Sequence, residues 1–317
     1  MKLFIFFSIL GFLALAILEL ILRARYGLGT PLIYQADDRI GYLIAPNQAI
    51  IRNGNHIRIN RYSMRSDDVS DRKAPHERRF LFIGDSVING GWWTDQSQII
   101  SERFKQHLQD KLNHQSLMSS PTIPTISVLN ASANSWSPRS ELEYLRRYGT
   151  FEADVIILVI NTDDLFATAP TSLVVGRQSN YPDRPPMGAI GELVNRYRLS
   201  KLPPLPELQA IYNEGGDRVG KVIEAIQAIH QLAQQNKAKC LLIMTPLLRE
   251  VETKPRDYEL VARDRLLQFT QKSDLPYLDL LEPFRAIDNA KQLYQDHIHL
   301  NAKGNEQVSK ILLQALD

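Results

Sequence analysis

Five short apolar segments separated by amphipathic helical segments constrain the fold of this chain more than any other feature. The apolar segments are residues 80–83, 125–129, 154–160, 239–244 and 276–280. Helical periodicity lies between and after them, at residues 97–112, 138–148, 217–236, 256–272 and 302–316. Nearly continuous apolar strands that alternate with amphipathic helices indicate a parallel sheet covered on both faces. The pattern therefore predicts an α/β fold with about five parallel strands.

The amino terminus carries a different signal. Residues 3–22 form an apolar run whose only strongly polar members are Ser8 and Glu19. A helix of this length spans ~30 Å, enough to cross a bilayer. The run is longer than the apolar part of a usual signal peptide, and no suitable cleavage site follows it. A buried helix of a soluble protein is the alternative. We expect residues 1–25 to be an uncleaved single-pass membrane anchor.

Two further parts and an insert follow the predicted anchor. Residues 26–77 are rich in turn-forming residues, and Asn53-Gly54 lies between two β-prone runs, which predicts a linker with a small β-hairpin. The alternating pattern occupies residues 78–317. It is interrupted at residues 163–216, which contain seven of the 17 prolines. Long irregular segments inside a compact domain are usually lids or binding loops, so we expect a lid-like insert there.

Charge and motif content exclude several functions. With 37 basic and 35 acidic residues the formal net charge is +2, so the chain lacks the basic surface of a nucleic-acid-binding protein. The single cysteine, Cys240, excludes an intramolecular disulfide and a cysteine-rich metal site. The sequence contains no spaced metal-ligand motif and no glycine-rich nucleotide motif. We therefore expect no metal and no cofactor.

Two short motifs at opposite ends of the alternating region carry candidate chemistry. Ser86 follows the first predicted strand in Gly84-Asp85-Ser86-Val87, where ligands of open α/β sheets bind. Asp296 precedes His299 by three residues, just before the last predicted helix. A serine nucleophile needs a base, and the base needs an acceptor that fixes its tautomer. The G-x-S-x-G elbow of α/β-hydrolases is disfavoured because its second glycine is missing.

These motifs together resemble the GDSL or SGNH hydrolase superfamily. The resemblance covers roughly residues 78–317 and implies a three-layer α/β/α sandwich that is flavodoxin-like in its sheet. It implies a serine ester hydrolase in which Ser86 is the nucleophile, His299 the base and Asp296 the orienting acid. The anchor, the hairpin and the block around Asn130–Trp136 are similar to membrane-anchored bacterial members. We therefore expect the catalytic domain on the extracytoplasmic side of the membrane, although basic residues flank both ends of the anchor.

The sequence departs from the family at two positions that hold the oxyanion. Ser135 stands where the family has a glycine, and its backbone N–H can still donate. Asp163 stands at the position of the family's asparagine, and an ionised carboxylate cannot donate. Asn161, two residues earlier, carries the nearest side-chain amide. The resemblance therefore implies an oxyanion hole from the N–H groups of Ser86 and Ser135, with Asn161 or a neutral Asp163 as an additional donor.

The three tryptophans lie just after predicted strand ends, close in sequence to Ser86 and Ser135. Trp92, Trp93 and Trp136 are expected to form a wall for an acyl chain or a sugar ring, or simply to pack the loops. The expected partners are the membrane and an ester-bearing small molecule, lipid or glycan. Two alternatives to an esterase remain: an O-acyltransferase that acylates a glycan with the same residues, and a non-catalytic carbohydrate- or lipid-binding protein.

Overall fold

The amino-terminal part of the chain forms one helix and two β-hairpins. The structure is a computed structural model that describes residues 1–119 and 124–316. Helix α1 is Lys2–Tyr26, and the strands are β1 Tyr34–Asp37, β2 Gly41–Ile44, β3 Gln48–Arg52 and β4 Asn55–Ile59. Strands β3 and β4 pair around Asn53 and Gly54, both with positive φ, as a two-residue hairpin turn requires. The predicted hairpin is confirmed, and β1–β2 is a second hairpin that the sequence did not indicate.

Five parallel strands form the central sheet, in the order β6-β5-β7-β8-β9. The strands are β5 Glu77–Gly84, β6 Thr125–Ser132, β7 Val155–Asn161, β8 Lys239–Thr245 and β9 Tyr277–Asp279. Each overlaps one of the predicted apolar segments, so the predicted sheet is confirmed.

Ten α-helices follow α1 among the described residues. They are α2 Ser86–Asn89, α3 Ile100–Ser119, α4 Pro138–Tyr148, α5 Gly188–Ser200, α6 Pro206–Tyr212, α7 Arg218–Gln235, α8 Leu248–Glu252, α9 Asp257–Lys272, α10 Leu281–Arg285 and α11 Ala302–Ala315. Side chains alternate between the two faces of a strand. Phe80 and Phe82 of β5 pack against Phe104 of α3, whereas Leu81 and Ile83 belong to the core on the opposite face. The result is the expected three-layer sandwich.

The insert at residues 163–216 is more regular than its composition indicated. It contains α5 and α6, whereas the sequence predicted irregular loops. Helix α6 begins at Pro206, and α5 begins at Gly188 after two consecutive prolines. Proline is tolerated in the first helical turn, where its missing N–H has no intrahelical partner. Pro206 therefore begins a helix, whereas the other prolines of the insert lie in the segments between helices.

Helix α1 has no buried residue. It is long and apolar enough to cross a membrane, with a mean hydropathy of 2.7, and is the one such helix in the part of the chain described. A signal sequence near the amino terminus can meet the same criteria of length and hydropathy. Near its carboxyl end, α1 contacts α5 of the insert.

Candidate active site

The end of β5 presents Ser86 to a cavity. A Cβ atom on Gly84 would lie 2.5 Å from the carbonyl oxygen of Val159 and 2.8 Å from Ile88 Cγ2, so only glycine allows this close packing between β5, β7 and α2. Asp85 then caps α2 by accepting a hydrogen bond from the Val87 N–H at 2.8 Å. Ser86 is the first residue of that helix and is 8% exposed. Its hydroxyl therefore sits on rigid backbone at the carboxyl edge of the sheet.

A turn before α11 brings Asp296 and His299 to the same place. The Ser86 Oγ atom is 2.9 Å from His299 Nε2, and His299 Nδ1 is 2.8 Å from Asp296 Oδ2. The other Asp296 oxygen accepts the backbone N–H groups of Ile298 and His299. Burial opposes ionisation of Asp296, but these N–H groups and the imidazole outweigh it and lower its pKa. The structure thus brings the three sequence-predicted residues into one hydrogen-bonded chain.

Asp85 offers the Ser86 hydroxyl a second acceptor. Its Oδ2 lies 3.1 Å from Ser86 Oγ and 3.0 Å from Asn161 Nδ2. A hydroxyl has one hydrogen, so Ser86 donates either to Asp85 or to His299 at any moment. Burial raises the pKa of Asp85, with the Val87 N–H and His299 acting in the opposite direction. The protonation state of Asp85 therefore influences which way the Ser86 hydroxyl points.

Two further carboxyl groups close to this arrangement, those of Asp164 and Glu141, are buried. Asp164 Oδ2 accepts hydrogen bonds from the backbone N–H and the side-chain amide of Asn161. Glu141 of α4 is fully buried, and neither of its carboxyl oxygens has a hydrogen-bond partner among the described residues. Burial raises the pKa of Asp164 well above its usual range, and Asp85 and Glu141 raise it further. Burial, with a contribution from Asp85, does the same for Glu141. These positions favour neutral carboxyl groups.

The predicted oxyanion residues differ in how they are held. Ser135 has φ +58°, the left-handed backbone that favours glycine, and its Oγ accepts a hydrogen bond from the Tyr181 hydroxyl at 2.9 Å. Asn161 donates both of its amide hydrogens to carboxyl groups, one to Asp85 and one to Asp164. Asp163 lies at the cavity with an exposed side chain, and desolvation, followed by Glu259, raises its pKa. An oxyanion that used Asn161 would have to replace one of its present acceptors.

A cavity of about 460 Å³, here called the serine cavity, opens over Ser86. Its lining includes Trp92, Trp93 and Trp136, together with Ser135 and Asn161. The Trp93 ring lies against the His299 imidazole, with ring centroids 4.5 Å apart, and Trp92 is 46% exposed. Trp136 is 1% exposed, and its indole N–H donates to the Tyr42 carbonyl oxygen. The three tryptophans thus range from the cavity mouth to the protein core.

Several residues that sequence reasoning did not identify shape this site. Arg65 is fully buried, and its guanidinium donates to the carbonyl oxygens of Asn89, Gly91 and Thr94, which flank Trp92 and Trp93. Tyr181 and Arg196 of the insert also line the serine cavity. No local motif marks these residues, because their partners lie far away in the sequence.

The described residues contain no group of three or more histidine, cysteine, aspartate or glutamate side chains arranged to hold a metal ion. His297 lines the serine cavity, but its side chain is 81% exposed and lies 3.9 Å from Asp296. His299, rather than His297, is the histidine in hydrogen-bond contact with Ser86.

An α/β/α sandwich with a serine, an imidazole and a carboxylate in hydrogen-bond contact at the strand ends is the arrangement of a hydrolase. The model of the GDSL-like Lipase/Acylhydrolase family matches residues 82–307, and the chain belongs to this family. It is a GDSL-type enzyme that hydrolyses ester bonds. Among curated proteins, none matches this sequence.

Comparison with solved structures finds similar chains at low sequence identity. LAE5, an alpha/beta hydrolase enzyme from the metagenome of Lake Arreo, Spain, is 12% identical, with a TM-score of 0.48 over 75% of this chain and 94% of its own. The acetyl xylan esterase AlAXEase is 14% identical, with a TM-score of 0.47 over 75% and 100%. A lipase/acylhydrolase from Enterococcus faecalis is 12% identical, with a TM-score of 0.45 over 75% and 95%.

Proposed function

We propose that the chain is a serine esterase in which Ser86, His299 and Asp296 act as a catalytic triad. The observation that carries the proposal is the pair of contacts at His299, 2.9 Å to Ser86 Oγ and 2.8 Å to Asp296 Oδ2. With Nδ1 protonated and donating to Asp296, the Nε2 lone pair faces the Ser86 hydroxyl. That is the tautomer a general base needs.

In the proposed mechanism, Ser86 Oγ attacks the ester carbonyl carbon while His299 Nε2 takes the hydroxyl proton. The tetrahedral intermediate collapses, the bond to the alcohol oxygen breaks, and His299 gives the proton to the leaving alcohol. Water then attacks the acyl-enzyme with His299 again as base, and the acid product leaves with Ser86 restored. Asp296 stays ionised and stabilises the imidazolium in both steps.

We assign the oxyanion hole to the backbone N–H groups of Ser86 and Ser135. The left-handed backbone at Ser135 supports this assignment, because a glycine-like conformation turns the chain at the cavity wall. Asn161 supports the site by separating Asp85 from Asp164 rather than by donating to substrate. Removing one oxyanion donor costs ~10²–10³ in kcat in a known protease, which sets the scale for tests.

We further propose that α1 anchors the enzyme in a membrane and that the catalytic domain, residues 78–317, works in the extracytoplasmic aqueous phase. Residues 26–77 connect the two and pack on the core through Ile44, Ile57 and Ile59. The absence of any buried residue in this apolar 25-residue helix supports the anchor, because water would disfavour such an exposed apolar surface. The substrate is an ester-bearing small molecule, lipid or glycan.

An O-acyltransferase that acylates a glycan is the second candidate. Such an enzyme needs an acceptor site beside the acyl-enzyme, and Tyr181 and Arg196 bring the insert to the wall of the serine cavity. Transfer and hydrolysis share every step up to the acyl-enzyme. The partition of acyl product between water and an added oligosaccharide distinguishes them.

Labelling with a fluorophosphonate tests the triad. The reagent should modify Ser86 in the full-length protein in detergent, and Ser86→Ala and His299→Ala should abolish labelling. Ser97→Ala, which removes a hydroxyl outside the serine cavity, is the matched control. Asp296→Asn should lower kcat for p-nitrophenyl acetate by ~10⁴ because it holds the wrong tautomer. Normal turnover by folded Ser86→Ala would refute the assignment.

A further inference from the structure

A second cavity adjoins the serine cavity on the side of the insert. It has a volume of about 420 Å³ and is here called the α5 cavity. Pro31, Ser179, Pro182 and Arg196 line both cavities. The remaining wall comes mainly from α5 and the residues that follow it, including Tyr197 and Leu202. The α5 cavity therefore leads toward Ser86 from the helix that contacts α1.

The α5 cavity has a surplus of positive charge. Its lining includes four basic residues, Arg184, Arg196, Arg198 and Lys201, and two acidic residues, Asp183 and Glu192. Glu192 is buried and forms an ion pair with Arg52, whose Nη2 atom lies 2.5 Å from Glu192 Oε1. Among the described residues, Arg198 and Lys201 form no ion pair, and Lys201 Nζ lies 5.5 Å from the centre of the Tyr197 ring. Arg198 and Lys201 thus remain available for an anionic ligand.

Helix α5 is joined tightly to the last turns of α1. The Glu19 carboxylate accepts hydrogen bonds from the N–H groups of Ala189 at 2.7 Å and Ile190 at 2.8 Å. Gly188 has φ +79°, a conformation that favours glycine, and a Cβ atom there would lie 2.3 Å from Glu19 Oε1. The Gly29 N–H also donates to Glu192 Oε2 at 2.7 Å. Both the first turn and the middle of α5 are therefore held by the chain at and just after α1.

These contacts fix the position of α5 along the apolar run of α1. Glu19 lies seven residues before Tyr26, the last residue of α1, a distance of ~10 Å along the helix. If α1 crosses a bilayer with residues 3–22 in the hydrocarbon core, Glu19 and the start of α5 lie near the boundary between the hydrocarbon and the lipid headgroups. Met187, Val194 and Tyr197 are 96%, 50% and 66% exposed there. Apolar and tyrosine side chains beside arginine and lysine are typical of a helix in the membrane interface.

We propose that α5 lies in the interface of the bilayer that α1 crosses, and that the α5 cavity binds the phosphate headgroup of a membrane amphiphile whose ester reaches Ser86 through the serine cavity. The proposal rests on the anchor and the nucleophile proposed above. Arg198 and Lys201 contact the phosphate, while the exposed side chains of α5 contact the lipid around it. The enzyme thereby takes its substrate from the membrane rather than from solution.

Depth-dependent quenching tests the position of α5. Full-length Val194→Cys carries a fluorescent label and is reconstituted in vesicles of phosphatidylglycerol and phosphatidylcholine with brominated chains. Val261→Cys, at an exposed valine of α9, is the matched control, and the native Cys240 is buried. Quenching at residue 194 but not at residue 261 is the expected result. No quenching at residue 194, or equal quenching at both, overturns the proposal.

Photocrosslinking tests the cavity without relying on turnover. Phosphatidylglycerol with a photoreactive headgroup should form an adduct within residues 176–202 of the vesicle-bound protein. Arg198→Gln/Lys201→Gln should reduce the adduct by about fivefold for each basic residue removed. Lys237→Gln/Lys272→Gln has the same charge change near the opposite edge of the sheet, ahead of β8 and β9, and should leave it unchanged. An equal adduct in both double variants overturns the proposal.

Two further measurements separate the possible outcomes. Excess inorganic phosphate present during irradiation should not reduce formation of the lipid adduct, and a reduction would assign the cavity to a free phosphate compound and overturn the bilayer source. Phosphatidylglycerol should also slow fluorophosphonate labelling of Ser86 in the wild type more than in Arg198→Gln/Lys201→Gln. If Ser86 is never labelled, the esterase assignment fails, whereas the quenching and adduct measurements still decide the place of α5.

Discussion

The guanidinium of Arg65 donates to the carbonyl oxygen of Gly91 at 2.5 Å, which ties the amino-terminal segment to the loop that carries Trp92 and Trp93. Arg65 Nη1 also donates to Asn89 and Nη2 to Thr94, both at 2.6 Å. These contacts fix the loop on both sides of the tryptophans. Since the Trp93 ring lies against His299, we expect Arg65 to influence the orientation of the imidazole through this loop without touching it.

Arg65→Lys should therefore lower kcat more than it changes KM. Lysine keeps the charge but lacks the planar fork of donors, so the carbonyl oxygens around Trp93 lose partners at a cost of ~1.5–3 kcal/mol per charged hydrogen bond. Arg61→Lys, at an exposed arginine of the same segment, is the control. The measurement is the pH profile of kcat for p-nitrophenyl acetate, which a purely structural loss would scale down without shifting. An unshifted profile, whether kcat is lowered or unchanged, would contradict the positioning role.

Ser135 gives a prediction about the oxyanion hole. Ser135→Gly and Ser135→Ala both keep the backbone N–H, so kcat should stay within about tenfold of wild type, well short of the ~10²–10³ that a lost donor costs. Alanine keeps the strain of the left-handed backbone, so Ser135→Ala should unfold more easily than Ser135→Gly by ~1–2 kcal/mol. Denaturant unfolding and steady-state kinetics measure the two effects. A 10²–10³ loss of kcat in both variants would assign the donor to the hydroxyl.

Sequence patterns predicted the parts of this molecule that depend on local periodicity. The continuous apolar segments located β5 to β9, because strands buried on both faces need apolar side chains at every position. Strands β1 and β2 have only four residues each, too few to show an alternation, and were not predicted. Helices α5 and α6 were missed because proline was interpreted as a loop signal.

The same distinction applies to the site. Ser86, Asp296 and His299 stand in short motifs beside predicted strand and helix ends. Because the carboxyl ends of parallel strands meet at one edge of the sheet, the sequence predicted that these three residues lie close together. Arg65 and Tyr181 had no such signal. Arg65 meets Gly91 across 26 residues, and Tyr181 meets Ser135 across 46 residues, through packing that only the folded chain defines.

Asn161→Ala tests whether the side-chain amide belongs to the oxyanion hole or to the scaffold. Its two amide hydrogens are donated to Asp85 and Asp164, so its removal costs each of these buried carboxyl groups one of its donors. We expect a loss of ~1–3 kcal/mol in unfolding free energy and a modest change in kcat. A loss of ~10²–10³ in kcat at unchanged KM and normal stability would instead place Asn161 in the oxyanion hole.

Asp163→Ala addresses the remaining candidate donor. The pKa of Asp163 is raised, and only its protonated form donates a hydrogen bond. If Asp163 contacts the oxyanion, wild-type kcat falls as pH rises through this pKa, and Asp163→Ala removes that pH dependence. With a hole made of backbone donors we expect the same profile in wild type and variant between pH 5 and about 9, a range chosen to cover the shifted carboxyl group. A profile that flattens in Asp163→Ala would contradict the backbone-only hole.

Glu141 makes a prediction about stability rather than rate. Its folded pKa lies well above the usual value of 4.5, so the folded state binds a proton that the unfolded state has already released. The resulting stability is fully present below pH 4.5 and is lost as pH rises toward the folded pKa, with a slope of ~1.4 kcal/mol per pH unit for one proton. Glu141→Gln and Glu141→Leu both remove the titrating carboxyl group. Both should therefore remove this one-proton contribution to the pH dependence of the unfolding free energy, although their absolute stabilities differ. Urea unfolding of the full-length protein in detergent from pH 4 to about 8, spanning the expected window, measures it. A wild-type slope in both variants would show that Glu141 does not hold the proton.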